Sequence, residues 1–286
     1  HLKLLAEAGL VERYQDGSWA YFHVSDRTEG GRLTRRLLAA VATDDTAIAR
    51  DRQRADALKR DRDSGAQSYF RDHAGEWDRI RALHVPEAEV EAAMLNAMGP
   101  GPFRLLLDLG TGTGRTLELF AGRYERGLGL DVNQQMLAYA QGRLSAAGLT
   151  KAEVRHGDIY NLALAGGVAD AVVIHQILHY LSEPALAIRE AARVLAPGGR
   201  LLIVDFAPHD MDVLREKHAH ERLGFADANI RQWLTDAGLT PLGTQHLSPA
   251  EGAAQKLTVS LWLAGRPQAA EADAPGTDRQ LERIRS

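Results

Sequence analysis

The stretch from Arg104 to Asp131, RLLLDLGTGTGRTLELFAGRYERGLGLD, constrains the fold of this chain more than any other. Leu105-Leu106-Leu107-Asp108-Leu109 is a short apolar run ending at glycine, which suits a strand buried on both faces. Gly110, Gly112 and Gly114 then turn the chain sharply and let backbone approach a ligand, because glycine has no Cβ in the way. Thr116 to Ala121 follows with helical spacing at Leu117, Phe120 and Ala121, so the turn feeds a helix N-terminus. A second strand, Gly127 to Leu130, ends in Asp131 about 20 residues past the first glycine. That is the distance at which an acid meets the paired hydroxyls of a nucleotide ribose.

The details of the loop narrow the ligand. A dinucleotide fingerprint runs G-x-G-x-x-G, whereas here the glycines run G-x-G-x-G and Arg115 stands where the last dinucleotide glycine would fall. Asp108, two residues before the first glycine, would repel a pyrophosphate and suits a ligand carrying an ammonium or sulfonium group. The pattern resembles the S-adenosylmethionine site of class I methyltransferases. By that resemblance Gly110, Gly112 and Gly114 form the cofactor loop and Asp131 accepts both ribose hydroxyls. Asp158 accepts the adenine amino group, Val132 and Ile159 sandwich the ring, and Asp108 serves the amino-acid end. Met136 and His175 complete the set of cofactor-binding residues, and Tyr69 belongs to a segment that lies across the cofactor as a lid.

Beyond Asp131 the units repeat. Helices are expected over residues 133–147 and 183–195, and strands over 152–156, 168–174 and 201–206. Alternation of this kind implies a parallel sheet. The last two strands, 239–247 and 257–264, are joined by a connection too short for a helix and should form an antiparallel hairpin. The expected fold class is therefore α/β: a Rossmann-like, class I methyltransferase sheet closed by that hairpin.

The first 24 residues read differently. His1 to Ala8 is an amphipathic helix closed by Gly9, and residues 10–14 and 19–24 are strands around the Asp16-Gly17 turn. Helix, Ala-Gly-Leu-Val and an aromatic hairpin resemble the recognition helix and wing of an ArsR-type winged helix-turn-helix. Residues 32–42 then fall where such proteins pair as dimers. The resemblance expects further helices ahead of His1, so the DNA reader of this chain is incomplete. The expected domains are a partial winged helix over 1–43, a mixed-charge helical linker over 44–66, the methyltransferase-fold domain over 67–265 and a polar, disordered tail over 266–286.

Composition excludes several function classes. There is no cysteine among the 286 residues, which removes disulfides, thiolate metal sites and thiol chemistry. A net charge of −4 gives no global nucleic-acid signature, so any such partner rests on the local motif. No apolar run approaches a membrane span and no signal peptide opens the chain, so the expected location is the cytoplasm with no membrane partner. His175, His179, His209, His218 and His220 could together suggest zinc, but no ligand motif of known spacing appears and no metal is assigned. His179 and His209 are the candidates for a catalytic base, although the sequence shows no acid partner for either.

Two functions follow. The first is a DNA-binding transcriptional regulator, a homodimer on operator DNA, whose methyltransferase-fold domain binds S-adenosylmethionine or S-adenosylhomocysteine as effector. The second is an active S-adenosylmethionine-dependent methyltransferase acting on a small molecule. The cofactor loop serves both.

Overall fold

A computed structural model of the chain describes residues 1–16, 19–24, 29–40, 68, 70, 87–249 and 257–268. The expected helical linker over 44–66, Tyr69 and the tail from residue 269 lie outside the described residues.

The first 40 residues give α1 (Leu2–Glu7), an antiparallel pair β1 (Glu12–Asp16) and β2 (Trp19–His23), and α2 (Glu29–Ala40). Gly9 ends the first helix in the left-handed region, with φ +68°, as a helix-terminating glycine should. α2 begins three residues before the expected start. Thr34 on α2 donates to the Leu10 carbonyl at 3.0 Å and so ties the helix to the segment after α1.

The rest is a seven-stranded sheet with helices on both faces. In chain order it runs α3 (Glu87–Met98), β3 (Phe103–Leu109), α4 (Arg115–Leu119), β4 (Tyr124–Asp131), α5 (Gln134–Ala146), β5 (Ala152–His156), β6 (Ala169–His175), α6 (Pro184–Val194), β7 (Leu195–Phe206), α7 (Val213–His218), α8 (Asp227–Asp236), β8 (Thr240–Leu247) and β9 (Val259–Gly265). The strand order is β5-β4-β3-β6-β7-β9-β8. β3 to β7 pair parallel with their neighbours, and β9 runs antiparallel between β7 and β8. The expected α/β fold with a closing antiparallel hairpin is thus the observed one.

Side chains leave a strand on alternate faces, and the core follows that period. Leu107, Leu109, Val172, Ile174, Leu201 and Ile203 pack on one face, with Ile188 and Ala191 of α6 and Ile230 and Leu234 of α8. Leu106, Ala171, Val173, Leu202 and Val204 pack on the other, with Val90, Met94 and Met98 of α3. Burial on both faces explains why the strands read as near-continuous apolar runs. The order reverses between β3 and β6, where chain connections leave to opposite sides. Parallel sheets open a crevice at such a point, beyond the carboxyl ends of the strands.

Three expectations need correction. β7 starts at Leu195, before Pro197-Gly198-Gly199, because Leu195 pairs with Ala169 ahead of a register shift. α8 was not expected at all. The expected tail begins too early: the Arg266 N–H donates to Gly199 O at 2.9 Å, and its guanidinium reaches the carbonyls of Ala192, Arg193 and Leu195 at the end of α6.

Candidate cofactor and acceptor site

A cavity of about 320 Å³ opens over the carboxyl ends of β3, β4, β5 and β6, within the size range usual for small-molecule sites. Its wall includes the expected Gly110, Gly112, Asp131, Val132, Met136, Asp158, Ile159 and His175. Thr111, Tyr160, Gln176, Ile177, Tyr180, Leu181 and Phe70 line it as well.

Its polar geometry is fixed by short-range turn chemistry. Asp131 stands at the tip of β4, where Oδ2 accepts from the Gly112 N–H at 2.9 Å and Oδ1 from the Asn133 N–H at 2.8 Å. Burial pushes the Asp131 carboxyl above its ordinary range, while N–H bonds from Asn133, Gly112 and Val132 pull it back. The Asn133 side chain caps α5 by accepting from the N–H groups of Gln135 and Met136, at 3.0 and 3.1 Å. Asp158 holds its own turn, with Oδ1 accepting from the Tyr160 N–H at 2.9 Å.

The glycine loop is tied down rather than open to phosphate. The N–H groups of Gly110 and Thr111 both donate to Leu130 O, at 2.8 and 3.0 Å. Gly112 N–H goes to Asp131, and Gly114 N–H to Thr111 O at 2.8 Å. A phosphate nest needs such donors pointing at the ligand. Two carboxylates in the wall, Asp131 and Asp158, add repulsion. Gly110, with φ +74°, is required on two grounds, since a Cβ there would also lie 2.8 Å from Ile177 Cγ1. Arg115 takes the place of the missing dinucleotide glycine and has its own use. It forms a two-pronged bond to Glu91 of α3, at 2.6 and 2.8 Å, and reaches Glu118 at 2.8 Å.

Several expected residues stand elsewhere. Asp108 is 1% exposed and turned into the protein, where Oδ2 accepts from Thr111 Oγ1 at 2.6 Å, so it braces the loop from beneath and is not in the described cavity wall. Gly114 also lies off the wall: it starts α4 at φ +78°, with Ala140 close by. His175 and His179 part at Gln176. His175 lines the cavity, while His179 sits in a 3-10 turn, Leu178–Tyr180, and is only 2% exposed.

His179 does have the acid partner that the sequence did not reveal. Its Nδ1 lies 2.8 Å from Oδ1 of Asp205, a carboxylate at the end of β7 that is fully buried. The same carboxylate accepts from the Phe206 N–H at 2.8 Å and the His179 N–H at 3.3 Å. His220 packs on the His179 ring with centroids 4.1 Å apart, and Phe206 lies 5.1 Å away. Neither His179 nor His209 lines the cavity, so direct proton abstraction from a bound acceptor is not what this geometry sets up. The His179–Asp205 pair instead fastens the turn whose Tyr180 forms the wall. Among the described residues no group of three or more metal-ligating side chains comes together.

Residues 107–203 match the family model described as a methyltransferase domain. The chain is 37% identical over 163 residues to an uncharacterized 37.1 kDa protein of transposon Tn4556 from Streptomyces fradiae, covering 52% of this chain and 47% of that protein. It is 30% identical over 106 residues to the uncharacterized methyltransferase YcgJ of Bacillus subtilis, covering 37% of this chain and 42% of the relative. The chain thus spans less than half the length of these curated relatives. The solved structure of the Bacillus subtilis YcgJ protein superposes with a TM-score of 0.54 at 18% identity, over 64% of this chain and 100% of that one. The cyclase SpnF superposes with a TM-score of 0.55 at 20% identity, over 63% of this chain and 81% of that one. Residues 107–203 accordingly match a methyltransferase domain, on a sheet that shares its fold with these solved structures.

Proposed function

We propose that this chain is an active S-adenosylmethionine-dependent methyltransferase acting on a small molecule. One observation carries the reading: a cavity at the switch of a parallel sheet in which loop N–H groups are spent on Leu130 and Asp131 while two carboxylates, Asp131 and Asp158, face the ligand space. This suits an adenosyl ligand with cationic groups and disfavours one with phosphates.

In this reading Asp131 receives the ribose hydroxyls and Asp158 the adenine amino group, with Val132 and Ile159 on either side of the ring. Met136 packs beneath. The amino-acid end runs over Gly110 and Gly112 towards His175, with Asp108 acting through Thr111. When bound, S-adenosylmethionine supplies an activated methyl group. The chain's own contribution is to hold the acceptor in line and keep water out, which is the main demand of methyl transfer. Ile177, Tyr180, Leu181 and Phe70 provide the apolar wall for that purpose. Because the same fold also serves a cyclase, activity must be measured: radiolabel passing from S-adenosylmethionine to a metabolite extract supports the reading. S-adenosylhomocysteine failing to bind in calorimetry removes it.

Of the two functions opened by the sequence, the comparisons favour this one. The regulator reading retains one observation of its own: α1, the β1–β2 hairpin and α2 occur in the order of a recognition helix, wing and dimer helix, and Leu33, Leu37 and Leu38 of α2 are exposed. A gel shift that depends on S-adenosylhomocysteine, together with a dimer in sedimentation, would support operator DNA as a partner. Among the described residues no helix is long and apolar enough to cross a membrane.

A further inference from the structure

The cavity wall divides along the sheet. Asp158 and Ile159 follow β5, Asp131 and Val132 follow β4, and the glycine loop follows β3. The methyltransferase reading, on which this inference rests, fills those places with the adenosyl amino acid. The segment after β6 is left over: Gln176, Ile177, Tyr180 and Leu181, with Phe70 edge-on to Tyr180 at 4.6 Å.

Gln176 is the polar side chain of that segment. It is only 8% exposed and forms part of the cavity wall. Its backbone has φ +52°, a left-handed conformation unusual outside glycine, and is held there by its N–H donating to Val204 O at 2.7 Å. Strain of this kind is kept at ligand clamps and catalytic centres, where the surrounding structure enforces it.

We infer that the Gln176 carboxamide is the polar contact for the methyl acceptor, and that the acceptor is a neutral, mainly apolar small molecule with one hydrogen-bonding group beside the atom to be methylated. A carboxamide offers a donor and an acceptor without charge. The described wall contains no lysine or arginine to pair with a phosphate or carboxylate on the acceptor. Phe70, Ile177, Tyr180 and Leu181 supply the apolar surface for the rest of the molecule.

The test is calorimetric titration of the full chain, saturated with S-adenosylhomocysteine, with 4-ethylphenol, ethylbenzene and 4-ethylbenzoate. The phenol should bind about tenfold more tightly than the other two, as one hydrogen bond in an apolar cavity allows. Gln176→Gly removes the carboxamide and relaxes the left-handed backbone, so it should fold as well as the parent. In it the preference should fall to within about twofold while affinity for S-adenosylhomocysteine is unchanged. Gln176→Asn, which keeps an amide and tolerates the conformation, should retain part of the preference. Preference surviving in Gln176→Gly, tightest binding of the benzoate, no binding of any probe, or a large loss of S-adenosylhomocysteine affinity in Gln176→Gly would each overturn the inference. Failure of the parent chain to bind S-adenosylhomocysteine would instead overturn the methyltransferase reading itself.

Discussion

At the β4–β5 end of the crevice the polar groups are neighbours in sequence. Asp131 bonds the N–H of Asn133 two residues on, and Asp158 bonds that of Tyr160 two residues on. At the β6–β7 end they come from far apart: His179 meets Asp205 across 26 residues, and His220 closes the stack from a third segment. The first end is shaped by turns that form locally. The second exists only once β7, the 3-10 turn and the segment before α8 have been brought together. Damage to the first should therefore appear as lost binding, and damage to the second as lost stability.

Asp205→Ala offers the sharpest break. It strips a fully buried carboxylate from three donors and should cost about 3–5 kcal/mol in chemical denaturation. A smaller loss than that from a surface substitution would remove the distinction. Asp131→Ala comes next and should act on the ligand instead, weakening S-adenosylhomocysteine by about 1.5–3 kcal/mol, on the order of ten- to a hundredfold in calorimetry. Its pH dependence has a definite sign. Because burial raises the folded pKa of Asp131, its contribution to the stability of the empty protein is present below the unfolded pKa and fades as pH rises through the folded value. Binding runs oppositely, since the carboxylate is the acceptor for the ribose. Affinity should fall as pH drops toward that raised pKa, and the fall should vanish in Asp131→Ala.

Gly110→Ala touches both ends, through the left-handed turn and through Ile177. A stability loss of about 1–3 kcal/mol is expected from the strain, with weaker ligand binding as well. The smallest effect belongs to Asp170, at the far end of β6. Burial raises its carboxyl, but bonds from the Arg104 guanidinium and the N–H groups of Leu105 and Arg104 outweigh this and leave it below the ordinary range. Its contribution is present above the unfolded pKa and fades as pH falls through the lowered folded value. Asp170→Ala should lower the melting temperature slightly and leave S-adenosylhomocysteine affinity untouched.

The same contrast explains what could be read from the sequence. Asp131, Asp158 and the glycine loop were legible because each is set by residues within a few positions, so a short motif carries the geometry. Asp108 faces away from the cavity wall because strand alternation puts it on the side of Leu106, where it accepts from Thr111 Oγ1, a direction that the motif alone does not show. The pairing of His179 with Asp205 has no periodicity to announce it. The left-handed backbone of Gln176 likewise has no signature in the residue types around it. α8 was missed although Ile230, Trp233 and Leu234 have helical spacing, its face completed only by β8 and β9. Its first residue, Asp227, accepts from the buried Trp262 at 2.8 Å and lies 3.1 Å from His246, joining three elements that the chain separates.

The reversed direction of β9 has a geometric outcome. Gly265 pairs with Arg200 and Thr240, at the edge of the sheet remote from the crevice, and Arg266 is bolted there to carbonyls at the end of α6. Gln268, the last described residue, packs beside Gly198 at that same remote end, so the described fold closes on the side opposite the crevice.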